Sequence, residues 1–347
     1  MAPLSKMIWS RLPEWGHDIE QKLPQKIMTT RLRKFLNKHF EINVSQDVHK
    51  SLYLLRRCKN AEVMSNPLVR ELVSKIKTQC GNMKDQQNVD VTILLPTFNN
   101  LLHLLICLHH LLKQKTKWTF EVIIGDDGSE IEISSIMSEF SDPIIYRRNE
   151  QNLGYLLNCN LNAKSARGKF LVLLNDDTLV LPGWLDALIN TLETDNRVGL
   201  VGSKLLFANG RLQEAGGIVW NDGTASNFGR DDHPGRLQYN FLRDMDFCTG
   251  ASIAVRRELW MQLDGYDELF TPAYFEDVDL AFRIRELGLR TIYQPNSVLI
   301  HFEAVTHGSR RNRDIANSRI KFYERWKSIL QSHPPAKRQN RIFDLME

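Results

Sequence analysis

The stretch FLVLLNDDT, residues 170–178, decides how the rest of the chain is read. Five apolar residues in succession, bounded by polar turn formers, suit a strand buried on both faces of a parallel sheet. The run opens directly onto Asn175, Asp176 and Asp177, and in open α/β sheets ligands bind beyond the carboxyl ends of the strands. Three further β-rich runs fit the same sheet: VTILL at 91–95, FEVII at 120–124 and IIYRR at 144–148. Helical patterns at 101–113, 155–166 and 184–194 alternate with them, which predicts an α/β domain around a central, mainly parallel sheet. Runs at 200–207, 216–220, 251–256, 290–293 and 298–302 predict a mixed continuation.

Pro96-Thr97-Phe98-Asn99 follows the first run and Gly125-Asp126-Asp127-Gly128-Ser129 the second. Aspartate, glycine and serine also build plain turns, but two acidic clusters on neighbouring strand ends are stronger evidence of a site than one. Paired carboxylates in such a place either hold a divalent cation on oxygen ligands or hydrogen-bond the polar edge of a base or sugar. Gly168-Lys169 leads into Phe170, with Ala163 upstream, so there is no P-loop; no GxGxxG follows the first strand either. Both absences count against nucleoside triphosphatases and nicotinamide dehydrogenases.

The 347 residues are 42% hydrophobic and 25% charged, with 19 Gly and 12 Pro, which excludes collagen-like, low-complexity and wholly disordered classes. This length accommodates one large catalytic domain with an appendage, or two modest domains. Cys58, Cys80, Cys107, Cys159 and Cys248 are odd in number and scattered without a CxxC, so we expect a reducing, cytoplasmic setting with neither a disulfide framework nor structural zinc. The first residues lack an apolar leader core, and the most apolar stretch, 101–112, is short and contains His103, His109 and His110; no membrane-spanning or secretion segment is expected.

Net charge is +4, unevenly spread: residues 1–90 carry +7, residues 309–347 carry +6 and the stretch between carries −9. The acidic middle argues against a nucleic-acid partner. The basic ends can face anionic lipid, a pyrophosphate-bearing acceptor or water, which allows peripheral contact with the inner face of a membrane. Within 27–40, Ile27, Leu32, Phe35, Leu36 and Phe40 oppose Arg31, Arg33, Lys34 and Lys38 as a basic amphipathic helix, whose stripe is to be buried on the catalytic domain, a partner or a membrane surface. The polar segment at 81–90 marks a boundary. Expected units are a helical N-terminal region with linker (1–90), a catalytic domain (91–308) and a basic helical tail (309–347).

The ordered series PTFN (96–99), GDDGS (125–129), NLGY (152–155), NDDT (175–178), FEDVDL (275–280) and IHFE (300–303) resembles the family 2 glycosyltransferases of the GT-A fold over residues 91–308. RLQEAGGIVW (211–220), TGASIAVRRELW (249–260) and GYDELF (265–270) are similar to bacterial polysaccharide-building members, including rhamnosyltransferase-like ones. The resemblance implies that Pro96, Thr97, Asn99 and Asp127, with Asp126 as the secondary partner, hold the nucleoside of a UDP- or dTDP-sugar. It places Asn152, Gly154 and Asn160 in a second donor-side motif, with Asn175 and Asp176 beside them. Asp177 matches the final acid of the family's DxD, which binds Mn²⁺ or Mg²⁺ through the donor diphosphate, and His301 matches a downstream metal ligand. Asn175 departs from the first Asp of that motif; an amide oxygen still accepts but adds no charge, so Asp177 carries the main coordination. Asp277, with Glu276 beside it, matches the catalytic base.

The chemistry agrees with these roles. A leaving nucleoside diphosphate gains negative charge that a divalent ion neutralises. A carboxylate on the opposite face of the sugar suffices to deprotonate the acceptor hydroxyl, and one-base attack without a covalent intermediate predicts inversion. The expected activity is therefore transfer of a hexose or deoxyhexose to a glycan or lipid-linked acceptor in bacterial surface polysaccharide synthesis. Two rival classes are a non-catalytic sugar-nucleotide or glycan-binding module of a larger synthase and a sugar nucleotidyltransferase.

Plainer roles compete residue by residue. Glu276 and Asp279 also suit the first turn of a helix ending near Leu287, where the dipole favours acids, and Asp277 also suits a cap. His301 alone would read as a strand histidine, and His307 as a solvated loop residue. His103, His109 and His110 read as structural. Trp220, Trp260 and Phe275 are candidate sugar-stacking aromatics, with core packing favoured for Trp260. The polar segment 221–244 reads as a lid.

Overall fold

The structure, a computed structural model, describes residues 67–83, 88–130, 133–302 and 311–336. The amphipathic segment 27–40, Cys58 and His307 lie outside the described residues.

The chain enters through α1 (Pro67–Asn82), then alternates β1 (Val91–Thr97), α2 (Leu101–Leu112), β2 (Phe120–Asp126), α3 (Ser134–Met137), β3 (Ile144–Arg148), α4 (Tyr155–Ala163) and β4 (Phe170–Leu174). Every residue of β1, β2 and β4 is buried, as continuous apolar runs require when helices cover both faces. There follow β5 (Thr178–Val180), α5 (Trp184–Thr194), β6 (Val198–Leu206), β7 (Leu212–Glu214), the hairpin β8 (Gly217–Val219) and β9 (Ala225–Asn227), β10 (Arg243–Asp244) and β11 (Ser252–Arg256). Last come α6 (Arg257–Gln262), α7 (Glu276–Glu286), β12 (Arg290–His301) and α8 (Arg311–Leu330).

Ten strands form one sheet in the order β10-β12-β6-β11-β4-β1-β2-β3, with β5 added to β12 and β7 to β6. The β4-β1-β2-β3 half is parallel. Strand β11 runs against both β4 and β6, and its first residue, Ser252, pairs with Leu174 at the end of β4. The residues before β11 therefore arrive at the edge where β1, β2 and β4 finish. That reversal makes the sheet mixed.

Two apolar layers sandwich the sheet. One joins α1, α2 and α5 to one face through Ile76, Leu104, Leu108, Trp184 and Leu188. The other packs α4, α7 and α8 on the opposite face through Leu156, Leu280, Phe322 and Trp326. Helix α8 buries Phe322 and Leu330 completely and packs the Phe322 ring tilted on Phe275 and edge-on to Phe282, so it shares the core of the sheet. Trp260 lies in that layer, edge-on to Tyr266. Trp220 is also buried, its indole donating to Ser226 across the β8–β9 turn, and Phe275 packs on Phe322. Segment 221–244 contains β9, a short 3₁₀ turn at Leu237–Tyr239 and β10. Cys80, Cys107, Cys159 and Cys248 are buried and unbridged. Among the described residues no helix is long and apolar enough to cross a membrane.

Candidate active site

The ends of β1, β2 and β4 and the start of β11 converge. At the end of β4, the Asn175 amide donates to Ala251 O at 3.0 Å, fastening NDD to the segment before β11. Asp176 bridges strands: its carboxylate accepts from Thr97 Oγ1 at 2.6 Å and from Asn100 Nδ2 at 2.9 Å. His103 Nδ1 meets Asn100 Oδ1 at 2.7 Å, so this helix histidine supports the same bracket from behind.

Asp177 begins the turn into β5. Strand β5 pairs antiparallel with β12 and sets Thr178 opposite His301. Asp177 Oδ1 consequently faces His301 Nε2 at 3.1 Å, and both residues are buried. Burial alone raises the Asp177 carboxyl, but the facing His301 outweighs it and holds the group below the usual range. Asn175 Nδ2 lies 3.4 Å from the same His301 nitrogen, while Asn175 Oδ1 is buried without a hydrogen-bond partner. His301 Nδ1 faces Gln213 Oε1 at 3.0 Å.

A hard divalent ion fits this set. A carboxylate, an imidazole and an orphaned amide oxygen offer the ligand types Mn²⁺ or Mg²⁺ accepts. Among the described residues no group of three His, Cys, Asp or Glu side chains forms a complete metal cluster, so an ion held here would complete its shell from a bound phosphate and water.

Asp126 and Asp127 organise the neighbouring loops. Asp126 is fully buried and accepts from Ser129 N, Tyr146 Oη and Arg148 Nη1 at 2.9, 2.6 and 3.2 Å. Asp127 accepts from Asn149 Nδ2, Leu153 N and Gly154 N at 2.8, 2.9 and 2.8 Å, which ties NLGY to the end of β2. Gly128 permits this contact: its φ is +74°, and a Cβ there would meet the Gln151 carbonyl carbon at 2.9 Å. Asn99 locks the front of β1 to the same turn, its amide donating to Ser129 Oγ and its side-chain oxygen accepting from Glu130 N. Pro96 lies within β1, and Asn152 is exposed with its side chain capping Gly154 N. Asn160 does not join them: its amide is spent on the Tyr266 backbone in both directions, at 2.7 and 2.9 Å.

Asp277 lies on the other side of the segment before β11. Its Oδ2 accepts from Gly250 N at 2.9 Å and its Oδ1 from Val278 N at 2.8 Å. Gly250 therefore holds Asp277 while the next residue, Ala251, holds Asn175. A Cβ on Gly250 would meet the hydroxyls of Tyr266 at 2.8 Å and Tyr155 at 3.1 Å, so only glycine fits. Burial raises the Asp277 carboxyl against the pull of those amides. Glu276 is buried with Oε2 unpartnered, and burial, with Asp277 beside it, pushes its carboxyl up to about 8. Both acids open α7 directly after Tyr274 and Phe275, whose φ values of 74° and 68° lie in the left-handed region. Bulky residues rarely adopt it, and such backbone persists only when its surroundings enforce it. Here α8 does so, through Ser318 Oγ to Ala273 O and the Phe322 ring on Phe275.

Asp279 has a purely structural place. It is fully buried and accepts from Arg283 Nε, Arg325 Nη1 and Trp326 Nε1 at 2.7, 3.1 and 2.9 Å, riveting α7 to α8. His109 and His110 lie away from the site, and burial lowers them to about 4 and about 3. The sequence assigns no individual role to Asn100, nor to Gln213, Glu214, Thr249 and Gly250 within the RLQEAGGIVW and TGASIAVRRELW stretches. Glu214 Oε1 accepts from Thr249 N at 2.9 Å and so supports the loop that holds Asp277.

A mixed sheet of this topology, with acids clustered at its converging strand ends, is a GT-A glycosyltransferase fold. The structure of GalNAc-T7 with UDP, GalNAc and Mn²⁺ superposes with a TM-score of 0.56 at 16% identity, covering 69% of this chain and 48% of that one. Residues 92–260 match the model described as glycosyl transferase family 2, and this segment is a domain of that family. The chain is 28% identical over 243 residues to the uncharacterized protein y4gI of Sinorhizobium fredii, covering 67% of this chain and 26% of that protein. It is 32% identical over 195 residues to the O-antigen biosynthesis protein RfbC of Myxococcus xanthus, covering 54% of this chain and 15% of that protein. The chain thus spans about a quarter or less of the length of these relatives.

Proposed function

We propose that this chain is a divalent-metal-dependent, inverting glycosyltransferase that moves a hexose or deoxyhexose from a UDP- or dTDP-sugar to a glycan or lipid-linked acceptor of a bacterial surface polysaccharide. The observation that supports the reading is that adjacent residues of one segment hold Asn175, through Ala251 O, and Asp277, through Gly250 N, so the proposed base and the NDD turn that carries the proposed metal ligand Asp177 meet at one sheet edge. The similarity to an O-antigen biosynthesis protein supports the acceptor class. The fold neighbour that holds UDP, GalNAc and Mn²⁺ supports the donor class.

In this reading Asp177 and His301 hold Mn²⁺ or Mg²⁺, with Asn175 Oδ1 as a neutral contact. When bound, that ion supplies charge neutralisation for the departing diphosphate. Asp126, Asp127 and Asn99 shape the nucleoside pocket by fixing the loops after β1 and β2. Asp277 accepts the proton of the attacking hydroxyl, and the desolvation that raises its carboxyl makes it a stronger base than a free aspartate. Glu276, protonated at neutral pH, keeps a second negative charge away from Asp277.

Incubating the protein with a panel of nucleotide sugars, Mn²⁺ and oligosaccharide acceptors tests the proposal. It predicts nucleoside diphosphate release coupled to product of inverted anomeric configuration by NMR. Pyrophosphate release from a nucleoside triphosphate would support the nucleotidyltransferase instead, and binding without turnover across the panel the non-catalytic module.

A further inference from the structure

We infer that Gln213 is a positioning residue that holds the His301 imidazole with its Nε2 lone pair directed at the cation, and so sets the metal affinity of the site. The inference rests on the reading of Asp177 and His301 as the metal pair. Strand β7 pairs with β6 through Leu205 against Glu214 and Leu206 against Leu212, leaving Gln213 as the unmatched residue of a bulge. Bulges re-aim a side chain out of the regular alternation. Here the side chain is buried and reaches the end of β12, where Oε1 stands 3.0 Å from His301 Nδ1.

The two ring nitrogens thus have different neighbours. Nε2 faces Asp177 Oδ1 at 3.1 Å, and Nδ1 faces only a neutral amide among the contacts described above. A cation bound at Nε2 requires the ring proton on Nδ1, and a partner that accepts that proton orients the ring and makes it a better donor. An amide suits both states of the site. Its oxygen accepts from Nδ1–H when a metal occupies Nε2, and its NH₂ can turn to donate to Nδ1 when the ring proton faces Asp177. A glutamate offers only acceptance, and leucine or methionine offers neither.

Mn²⁺ titration of the full chain, followed by EPR of the free ion, tests this without any turnover. Gln213→Leu and the near-isosteric Gln213→Met are expected to weaken Mn²⁺ binding by about 10- to 100-fold, as loss of a ligand's supporting partner typically does. Gln213→Glu is expected to restore binding to within a few-fold of wild type. In a His301→Ala background, Gln213→Met should change Mn²⁺ affinity no further. Wild-type Mn²⁺ affinity in folded Gln213→Met, or a loss additive with His301→Ala, would overturn the inference while leaving the metal pair intact. Mn²⁺ binding unaffected by Asp177→Ala and His301→Ala would overturn the metal reading and the inference with it.

Discussion

Asp177 Oδ1 and His301 Nε2 stand 3.1 Å apart because three residues of β5 pair antiparallel with the end of β12. The contact joins two sequence-distant segments through backbone register, so neither side chain needs to search for the other. Asp177→Ala should therefore abolish stimulation by Mn²⁺ and weaken its binding by more than the roughly 10- to 100-fold typical of residues that only support a ligand. Turnover measured against Mn²⁺ concentration checks this; a variant with the wild-type metal response would remove Asp177 from its role. Chelation of the wild-type protein should mimic the variant and be reversed by added Mn²⁺.

Asp277→Asn keeps the shape of the side chain and its contact with Val278 or Gly250 while removing the proton acceptor. Transfer should fall by about 10²- to 10⁴-fold, the usual contribution of a general base. Donor affinity, measured by calorimetry with a nucleotide sugar, should stay within a few-fold. Full turnover in this variant refutes the assignment.

Glu276 makes a signed pH prediction. Its carboxyl is raised to about 8 in the folded protein, above its value in an unfolded chain, so the native state holds the proton longer. Stability from this group is complete below the unfolded value near 4.5 and is lost as pH rises toward 8, with a slope of at most about 1.4 kcal/mol per pH unit. Glu276→Gln should be more stable than wild type at pH 8 and close to it at pH 4.5. Urea melts at the two pH values decide; an equal difference at both would show that folding does not raise the Glu276 carboxyl.

Asp279→Ala leaves Arg283 and Arg325 facing an empty buried position and strips the Trp326 indole of its acceptor. Breaking such a buried pair costs about 3–5 kcal/mol. For a chain of 347 residues melting temperature falls by roughly 1–2 °C per kcal/mol, which a thermal scan reads directly. A shift under 2 °C would mean that the rivet carries little.

Much of the sheet was legible because β1, β2 and β4 are unbroken apolar runs that need cover on both faces, and their polar ends named Thr97, Asp126, Asp127 and NDD at once. Strands β5, β7, β9 and β10 were not, since two or three residues hold no readable period. That cost the sequence reading Gln213 and Glu214, which matter only through where β7 lies. Strand β12 looked like two runs split at Pro295-Asn296; it is one strand that absorbs the proline in a bulge between Gln294 and Val298. Thr249 and Gly250 open the TGASIAVRRELW stretch but carry no individual signal in the sequence, because they precede a strand that runs against its neighbours. Asn160 lay in a motif beside donor-side residues, yet one turn of α4 carries it round to Tyr266.

Anyone redesigning specificity here should treat α8 as part of the support behind the proposed base. Ser318 and Phe322 hold the strained pair Tyr274-Phe275 whose next two residues are the acids of α7. Substitutions at the buried Ser318 or Phe322, more than forty residues along the chain from those acids, are therefore expected to be felt as altered turnover.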